Sequence, residues 1–294
     1  MPSLAFLFPL SCIAIWAGNG IAGKLAMQIM SPAALSWSRW LIAALVLTPV
    51  LGARAWRLRH RLVRSGHKLM ALALLGMVLN QTLGYCAAKT LGATEIGLMM
   101  GLTPLMTVLL SSLLLREPPT WGALLGGVLS LCGLAVLLGQ GDPLSVLRHG
   151  IAIGDIYMLL SAFTYALYSV LLRRWTLGLD SWMMLYGQVL CSLMLLTPYF
   201  FLVDGTLPDR QALWLILYAG IPTSALSPWL WMQGIALLGA NRTAIYLNLL
   251  PLMTASLAVW LLGEQLTMAH VLGGILTLSG VVMAQCILRP VHRP

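Results

Sequence analysis

Between residues 4 and 288 the chain is a series of apolar runs, each about as long as a bilayer core is thick. The runs cover 4–28, 32–51, 68–88, 92–115, 119–139, 153–173, 181–203, 211–236, 241–262 and 267–288. A helix crossing hydrocarbon needs about 20 apolar residues, and each run is of that order. Turn residues mark the breaks: Ser31-Pro32, Gly52, Gly92, Pro118-Pro119, Gly139 to Pro143, Gly178, Asp204-Gly205, Gly239 and Gly263. The connections are short, so no soluble domain is inserted. The pattern predicts an all-α membrane protein of ten transmembrane helices. Composition closes the alternatives: 60% of the 294 residues are hydrophobic and 9% charged. Soluble domains average about 45–50% apolar and about 25% charged. A soluble enzyme, a disordered chain and a DNA-binding domain are thereby excluded.

The net charge of +9 has a topological explanation. Six of the seventeen basic residues lie in one short stretch: Arg54, Arg57, Arg59, Arg61, Arg64 and Lys68. Apolar runs flank it, so it reads as a cytoplasmic loop and not as a nucleic-acid site. With both termini placed inside, the cytoplasmic segments hold twelve Lys and Arg residues. The outer side holds four, namely Lys24, Lys89, Arg148 and Arg210, and Arg39 falls within span two. This bias predicts an even number of spans with N-in, C-in topology. Nothing before the first run resembles a signal peptide, so that run is expected to stay as a span. The five cysteines (Cys12, Cys86, Cys132, Cys191, Cys286) form no CxxC pair and read as small core residues.

The sequence repeats itself. At an offset of 147, residues 91–133 lie on 238–280 without a gap. Identical pairs include Gly92/Gly239, Pro104/Pro251, Thr107/Thr254, Glu117/Glu264, Thr120/Thr267, Gly126/Gly273, Gly127/Gly274 and Gly133/Gly280. At the front of each half an offset of 149 fits better, placing Leu47-Thr48-Pro49 on Leu196-Thr197-Pro198 and Trp16 on Tyr165. The halves are residues 1–140 and 150–294, joined by a linker at 141–149, with five spans each. An odd span count makes the second half enter from the opposite side, as in inverted-repeat transporters with a midplane site.

These residues resemble the EamA-type members of the drug/metabolite transporter superfamily over nearly the whole chain. The matching features are Trp16-Ala-Gly-Asn19, Arg39-Trp40, the run Ala-Ala-Lys89-Thr-Leu-Gly-Ala, Pro104, Arg116-Glu117, Pro251 and Leu-Gly263-Glu264-Gln-Leu-Thr267. The resemblance implies a ten-span secondary carrier of the cell inner membrane, exporting amino acids, other metabolites or toxic compounds, with no cofactor. One departure stands out: Arg116-Glu117 replaces the usual Gly-Glu.

Charged groups inside spans are the first suspects for transport, because each costs about 2.5–3.5 kcal/mol at a helix centre. Lys24, Arg39, Lys89 and Glu95 all map to outer halves of spans, and Glu95 is expected to pair with one of the cations and close the outer mouth. The alternatives are a surplus of positive charge that receives a carboxylate substrate, and interfacial snorkelling. Proton coupling, if present, is expected at Glu95. Helical spacing puts Trp16 and Asn19 on one face of span one, and Ser161, Tyr165 and Tyr168 on one face of span six. These stripes are expected to line a substrate cavity, with interhelical hydrogen bonding as the alternative. Asn80 and Gln81 in span three are equivalent to Ser227 and Pro228 in span eight, where proline breaks the helix. Trp231 shares the face of Ser227, while Trp229 points about 200° away. Arg242 and Tyr246 share a face of span nine, equivalent to Glu95 and Met99, so Met99 and Tyr246 join the expected lining.

Glu117 and Glu264 are expected to be scaffold carboxylates at helix starts, and the glycine pairs are expected to allow close helix contact. Trp37, Trp56, Trp121, Trp175, Trp182 and Trp214 sit near span ends as interfacial anchors. No phosphate-binding loop is present, so ATP drive is not expected. No metal motif is present, and His270 stands alone at the start of span ten. An intramembrane enzyme, or a sensor or assembly subunit, is the rival class. An enzyme would need a nucleophile–base set in the spans, and a sensor would have a regulatory domain. The expected partners are a small-molecule substrate and the lipid bilayer, without nucleic acid, for a monomer or homodimer.

Overall fold

Backbone groups in hydrocarbon must be satisfied within their own segment, and a helix does this. The computed structural model describes residues 4–116, 120–142, 151–175, 177–238 and 246–287, and among these every regular element is helical. The first half holds α1 (Leu7–Ala26), α2 (Pro32–Arg57), α3 (Gly66–Ala88), α4 (Ala93–Leu114) and α5 (Trp121–Leu138). The second holds α6 (Ile153–Arg174) and α7 (Ser181–Val203). Next comes α8, built from Arg210–Ala212, Leu213–Gly220, Pro222–Leu226 and Ser227–Leu238. Then follow α9 (Tyr246–Leu262) and α10 (Met268–Cys286). A short helix, Arg59–Arg64, joins α2 to α3.

Among the described residues, seven helices, α2 to α8, are long and apolar enough to cross a membrane. In α1 the apolar run is interrupted by Asn19 and Lys24, and α9 and α10 are shorter apolar helices. Local capping explains several starts. Ser31 accepts from the Ala34 amide with Pro32 behind it, Thr120 from Ala123, and Thr267 from His270. The Asp204 carboxylate, just past α7, accepts from the Ser31 and Thr206 hydroxyls, which hold its pKa below the usual carboxylate range. Gly263 ends α9 at φ 68°, and Arg116, its equivalent after α4, adopts the same left-handed conformation at φ 56°. The departure from Gly-Glu at Arg116-Glu117 therefore does not change the backbone at residue 116, although an arginine pays a steric cost there that glycine avoids.

Two interruptions of α-helical geometry also coincide. Leu74–Leu79 in α3 and Pro222–Leu226 in α8 are π turns, and the offset of 147 lays one upon the other. Carbonyls around them are taken by side chains. The Trp40 indole donates to Met77, and the hydroxyls of Thr223, Ser224 and Ser227 donate to Tyr218, Ala219 and Thr223. The expected break near Pro228 is this π turn, one turn ahead of it.

The contacts between halves come in exchanged pairs. Trp37 donates to Thr197 at 3.1 Å, and Thr48 meets the Tyr186 hydroxyl at 3.0 Å. The offset of 149 converts Trp37 into Tyr186 and Thr48 into Thr197, so one contact becomes the other. The glycine contacts of α5 and α10 behave alike. A Cβ on Gly126 would meet the Gly280 carbonyl at 2.2 Å, and one on Gly133 the Gly273 carbonyl at 2.7 Å. These helices therefore run antiparallel with backbones touching at Gly126 and Gly273, the first member of each expected glycine pair, whereas Gly127 and Gly274 face the Leu105 and Leu98 side chains of α4. Ser130 donates to the Thr277 carbonyl at 3.0 Å. A third pair joins Ser161 to the Asn80 carbonyl at 2.7 Å and Cys12 to the Ser227 carbonyl at 3.3 Å.

Candidate functional site

Just beyond each π turn sits a polar residue that faces a neighbouring helix. In α8 this is Ser227, whose hydroxyl accepts from the Trp16 indole at 2.8 Å; the Trp16 and Trp231 rings lie 5.5 Å apart. In α3 it is Asn80, whose amide donates to the Ser161 carbonyl and hydroxyl at 3.0 and 3.1 Å. Gln81 donates to the Asn80 side-chain oxygen at 3.1 Å and accepts from Arg39 at 2.7 Å. Arg39 also donates to the Tyr85 hydroxyl at 2.5 Å, and to Ser224 at 2.8 and 3.2 Å. A continuous hydrogen-bonded chain thus runs from Ser161 on α6 through α3 and Arg39 on α2 to Ser224 on α8.

Arg39 dominates the electrostatics of this chain. It is 2% exposed and is the largest fully buried side chain described. No carboxylate among the described residues pairs with it; its partners are neutral oxygens and the Trp40 face at 5.1 Å. Four neutral hydrogen bonds and a ring offset part of the desolvation cost of a buried cation. The surroundings are asymmetric. The equivalents of Arg39, Gln81, Tyr85 and Ser224 are Gln188, Pro228, Met232 and Met77, so this network has no twin in the other half.

Other expected lining residues fall around the network. Gly23 lets the Tyr85 ring approach α1, where a Cβ would lie 3.1 Å from it. Asn19, one turn earlier on that face, carries a buried side-chain oxygen without a hydrogen-bond partner among the described residues. Tyr165 and Tyr168 are both half-buried with rings 5.5 Å apart, and Tyr168 lies over Gly76 in the α3 π turn, where a Cβ would be 2.7 Å from the ring. Trp229 points away and packs on Phe8 at 6.0 Å, as expected.

Several expectations are corrected. Met99 does not face the network; it is fully buried against Ala87, Leu91, Leu137 and Met158, because helix α4 turns that face toward an apolar cluster. Tyr246 sits in a 3₁₀ turn at the start of α9 and makes none of these contacts. Arg242 and Glu117 lie outside the described residues. Glu95 does not pair with Lys24, Arg39 or Lys89. Its carboxylate accepts from the Gly92 amide at 2.9 Å and lies 3.8 Å from His270 on α10. Lys24 instead donates to the Ala88 and Leu91 carbonyls at 2.9 and 2.7 Å, closing the C-terminus of α3, while Lys89 is exposed. Glu264 is a helix-capping carboxylate as expected, but of α4 rather than of its own helix: it accepts from the Ala93 and Thr94 amides at 2.6 and 3.0 Å.

Three participants escaped the sequence reading. Tyr85 follows Gln81 by four residues and Ser224 precedes Ser227 by three, so helical spacing could have found both. His270 accepts from the Thr267 amide at Nδ1, which assigns its proton to Nε2, facing Glu95. Only the packing of α10 on α4 reveals that contact.

Known proteins match the chain along nearly its whole length. The model of the EamA-like transporter family matches twice, over residues 3–139 and 152–285. An uncharacterized transporter of Bacillus subtilis, YyaM, is 25% identical over 272 residues, covering 90% of this chain and 88% of that one. An uncharacterized transporter of Archaeoglobus fulgidus is 26% identical over 275 residues, covering 92% and 93%. The uncharacterized inner membrane transporter YicL of Salmonella typhimurium is 24% identical, covering 92% and 91%. A solved crystal structure shares the fold with a TM-score of 0.67 at 20% identity, covering 97% of this chain and 96% of the other. The chain is a multi-pass membrane protein and belongs to the EamA-like transporter family.

Proposed function

We propose that the chain is a secondary carrier of ten crossings, built as two inverted five-helix halves that rock about the network at Arg39. Residues 1–140 and 150–294 form the halves and 141–149 the linker, with both termini in the cytoplasm of a bacterial inner membrane. The observation that carries this reading is the exchange of contacts between halves. Trp37–Thr197 and Thr48–Tyr186 interconvert under a single offset, as do the glycine contacts of α5 and α10. Equivalent helices that touch while antiparallel are what an inverted repeat produces. Two halves of the same build have two similar packings, which is the physical basis for alternating access.

The cargo is a small amphipathic metabolite, such as an amino acid or related compound, leaving the cytoplasm. Trp16, Trp231, Tyr165 and Tyr168 supply apolar walls, and Asn19, Gln81 and Arg39 supply polar groups. The contact of Glu95 with His270 joins the halves at one mouth. Flux is either proton-coupled or facilitated, and the pH-gradient arm of the flux test separates the two. The test is flux in proteoliposomes over an amino-acid and metabolite panel, with and without a pH gradient. Saturable flux of at least one amphipathic solute is expected. Absence of flux for the whole panel, in protein whose fold is intact, would overturn the carrier reading.

A further inference from the structure

The basic stretch between α2 and α3 forms a built trough, not merely a charged loop. Two hollows of about 470 and 480 Å³ adjoin one another, both lined by Arg61 and Gly178. One wall is the cation row Arg57, Arg61 and Arg64, continued by Lys68; the other is the connector from Leu177 to Asp180. Gly178, at φ 63°, carries that connector past without a side chain, and a Cβ there would meet open space.

The charges are unevenly committed. Arg54 pairs with Asp180 at 2.8 Å, and Asp180 is the one carboxylate lining the trough. Arg59 lies over Trp56 at 4.9 Å and donates to its carbonyl, and Lys68 lies over Trp175 at 5.9 Å. Arg57, Arg61 and Arg64 are exposed and have no carboxylate partner among the described residues. The local field therefore favours an anion with several acceptor oxygens, which guanidinium groups grip well.

A second observation identifies the source of that anion. Val46, Val50, Ala53 and Arg57 fall on one stripe of α2 at helical spacing. Val46 and Val50 are 39% and 76% exposed, so an apolar track on the outside of the bundle leads directly into the cation row. Trp56 and Val63 flank the row at 70% and 79% exposure, as side chains at the headgroup level would be. A free phosphate has no use for the track, whereas a phospholipid places acyl chain on it and headgroup in the trough.

We propose that this trough binds one anionic phospholipid, its phosphate held by Arg57, Arg61 and Arg64 and an acyl chain lying along Val50 and Val46. The proposal is independent of what the protein transports. Each cation near an anionic membrane surface is worth roughly fivefold in binding. Replacing three should therefore weaken retention by about a hundredfold.

The test is native mass spectrometry of the full chain released from nanodiscs of equal phosphatidylglycerol and phosphatidylcholine. The wild type should retain phosphatidylglycerol preferentially. The triple variant R57Q/R61Q/R64Q should lose that preference, and R57K/R61K/R64K, which keeps the charge, should retain it at least in part. Val46→Asn with Val50→Asn should weaken lipid retention, and excess soluble glycerol phosphate should not displace the lipid. Equal retention of both lipids by the wild type would overturn the proposal. So would unchanged preference in the Gln variant, or complete displacement by glycerol phosphate, which would make the trough a free-anion site. If the Gln variant does not fold, the Lys and Asn variants decide: lipid loss in the Asn variant with retention in the Lys variant supports the proposal, and any other pattern refutes it.

Discussion

Adjacent glycines on α5 should respond to alanine in opposite ways. At Gly126 the new Cβ would lie 2.2 Å from the Gly280 carbonyl and 2.9 Å from the Ala284 amide nitrogen. Ordinary contact begins near 3.4 Å, so α5 and α10 must part by about 1 Å at that point. Parting them stretches the hydrogen bond from Ser130 to Thr277, worth about 0.5–1.5 kcal/mol, and adds over-packing strain of about 1–3 kcal/mol. The better helix propensity of alanine returns up to about 1 kcal/mol. Gly126→Ala should therefore destabilise by about 1–3 kcal/mol, or on the order of several degrees in Tm. At Gly127 the nearest atom to a Cβ is the tip of Leu105 at 3.7 Å, an ordinary contact. Gly127→Ala should leave Tm unchanged or raise it. Gly133→Ala, Gly273→Ala and Gly280→Ala, which press on the same antiparallel contact, should resemble Gly126→Ala. The assay is thermal unfolding of purified variants in detergent, followed by tryptophan fluorescence. Equal loss at Gly126 and Gly127 would refute the reasoning, because helix contact could not then be the cause.

Glu264→Gln should weaken the cap on Ala93 and Thr94 by about 1–2 kcal/mol, seen as a lower Tm; no change would mean the carboxylate does not hold α4. Arg116→Gly should stabilise by up to about 1 kcal/mol, because glycine adopts φ 56° without steric cost. A drop in Tm would contradict the shared turn. Arg39→Met should leave a folded protein whose flux in proteoliposomes falls at least about tenfold, since a hydrogen bond to a charged group is worth about 1.5–3 kcal/mol and about 1.4 kcal/mol is tenfold. Wild-type flux in that variant would remove Arg39 from the carrier's working parts.

Much of this architecture is readable in the residues, because span length and repeat offset are one-dimensional properties. The expected span at 181–203 coincides with α7, and that at 68–88 starts two residues inside α3. The offsets of 147 and 149 anticipate which contacts exchange, although not that Trp37 would find Thr197. Helical faces were legible for Trp16, Ser227 and Trp231, and for Asn80 and Gln81. They failed for Met99, because a face angle says nothing about which neighbour the face meets. Charge partners failed for a related reason. Glu95 was assigned a cation by sign alone, yet Lys24 is drawn to helix carbonyls and His270 arrives from the far end of the chain. The π turns were hidden because one extra residue in a turn leaves no compositional mark, except where Pro222 and Pro228 signal it.

The central claim is that two inverted halves expose one shared site to each side of the membrane in turn. Asn19 suits a direct test, because its buried side-chain oxygen has no hydrogen-bond partner among the described residues. A single Asn19→Cys would be introduced after replacing the five native cysteines, and labelled with a membrane-impermeant maleimide in right-side-out and inside-out vesicles. The account predicts labelling from both sides, with a transported solute shifting the two rates in opposite directions. Labelling from one side only, whatever the solute, would contradict it.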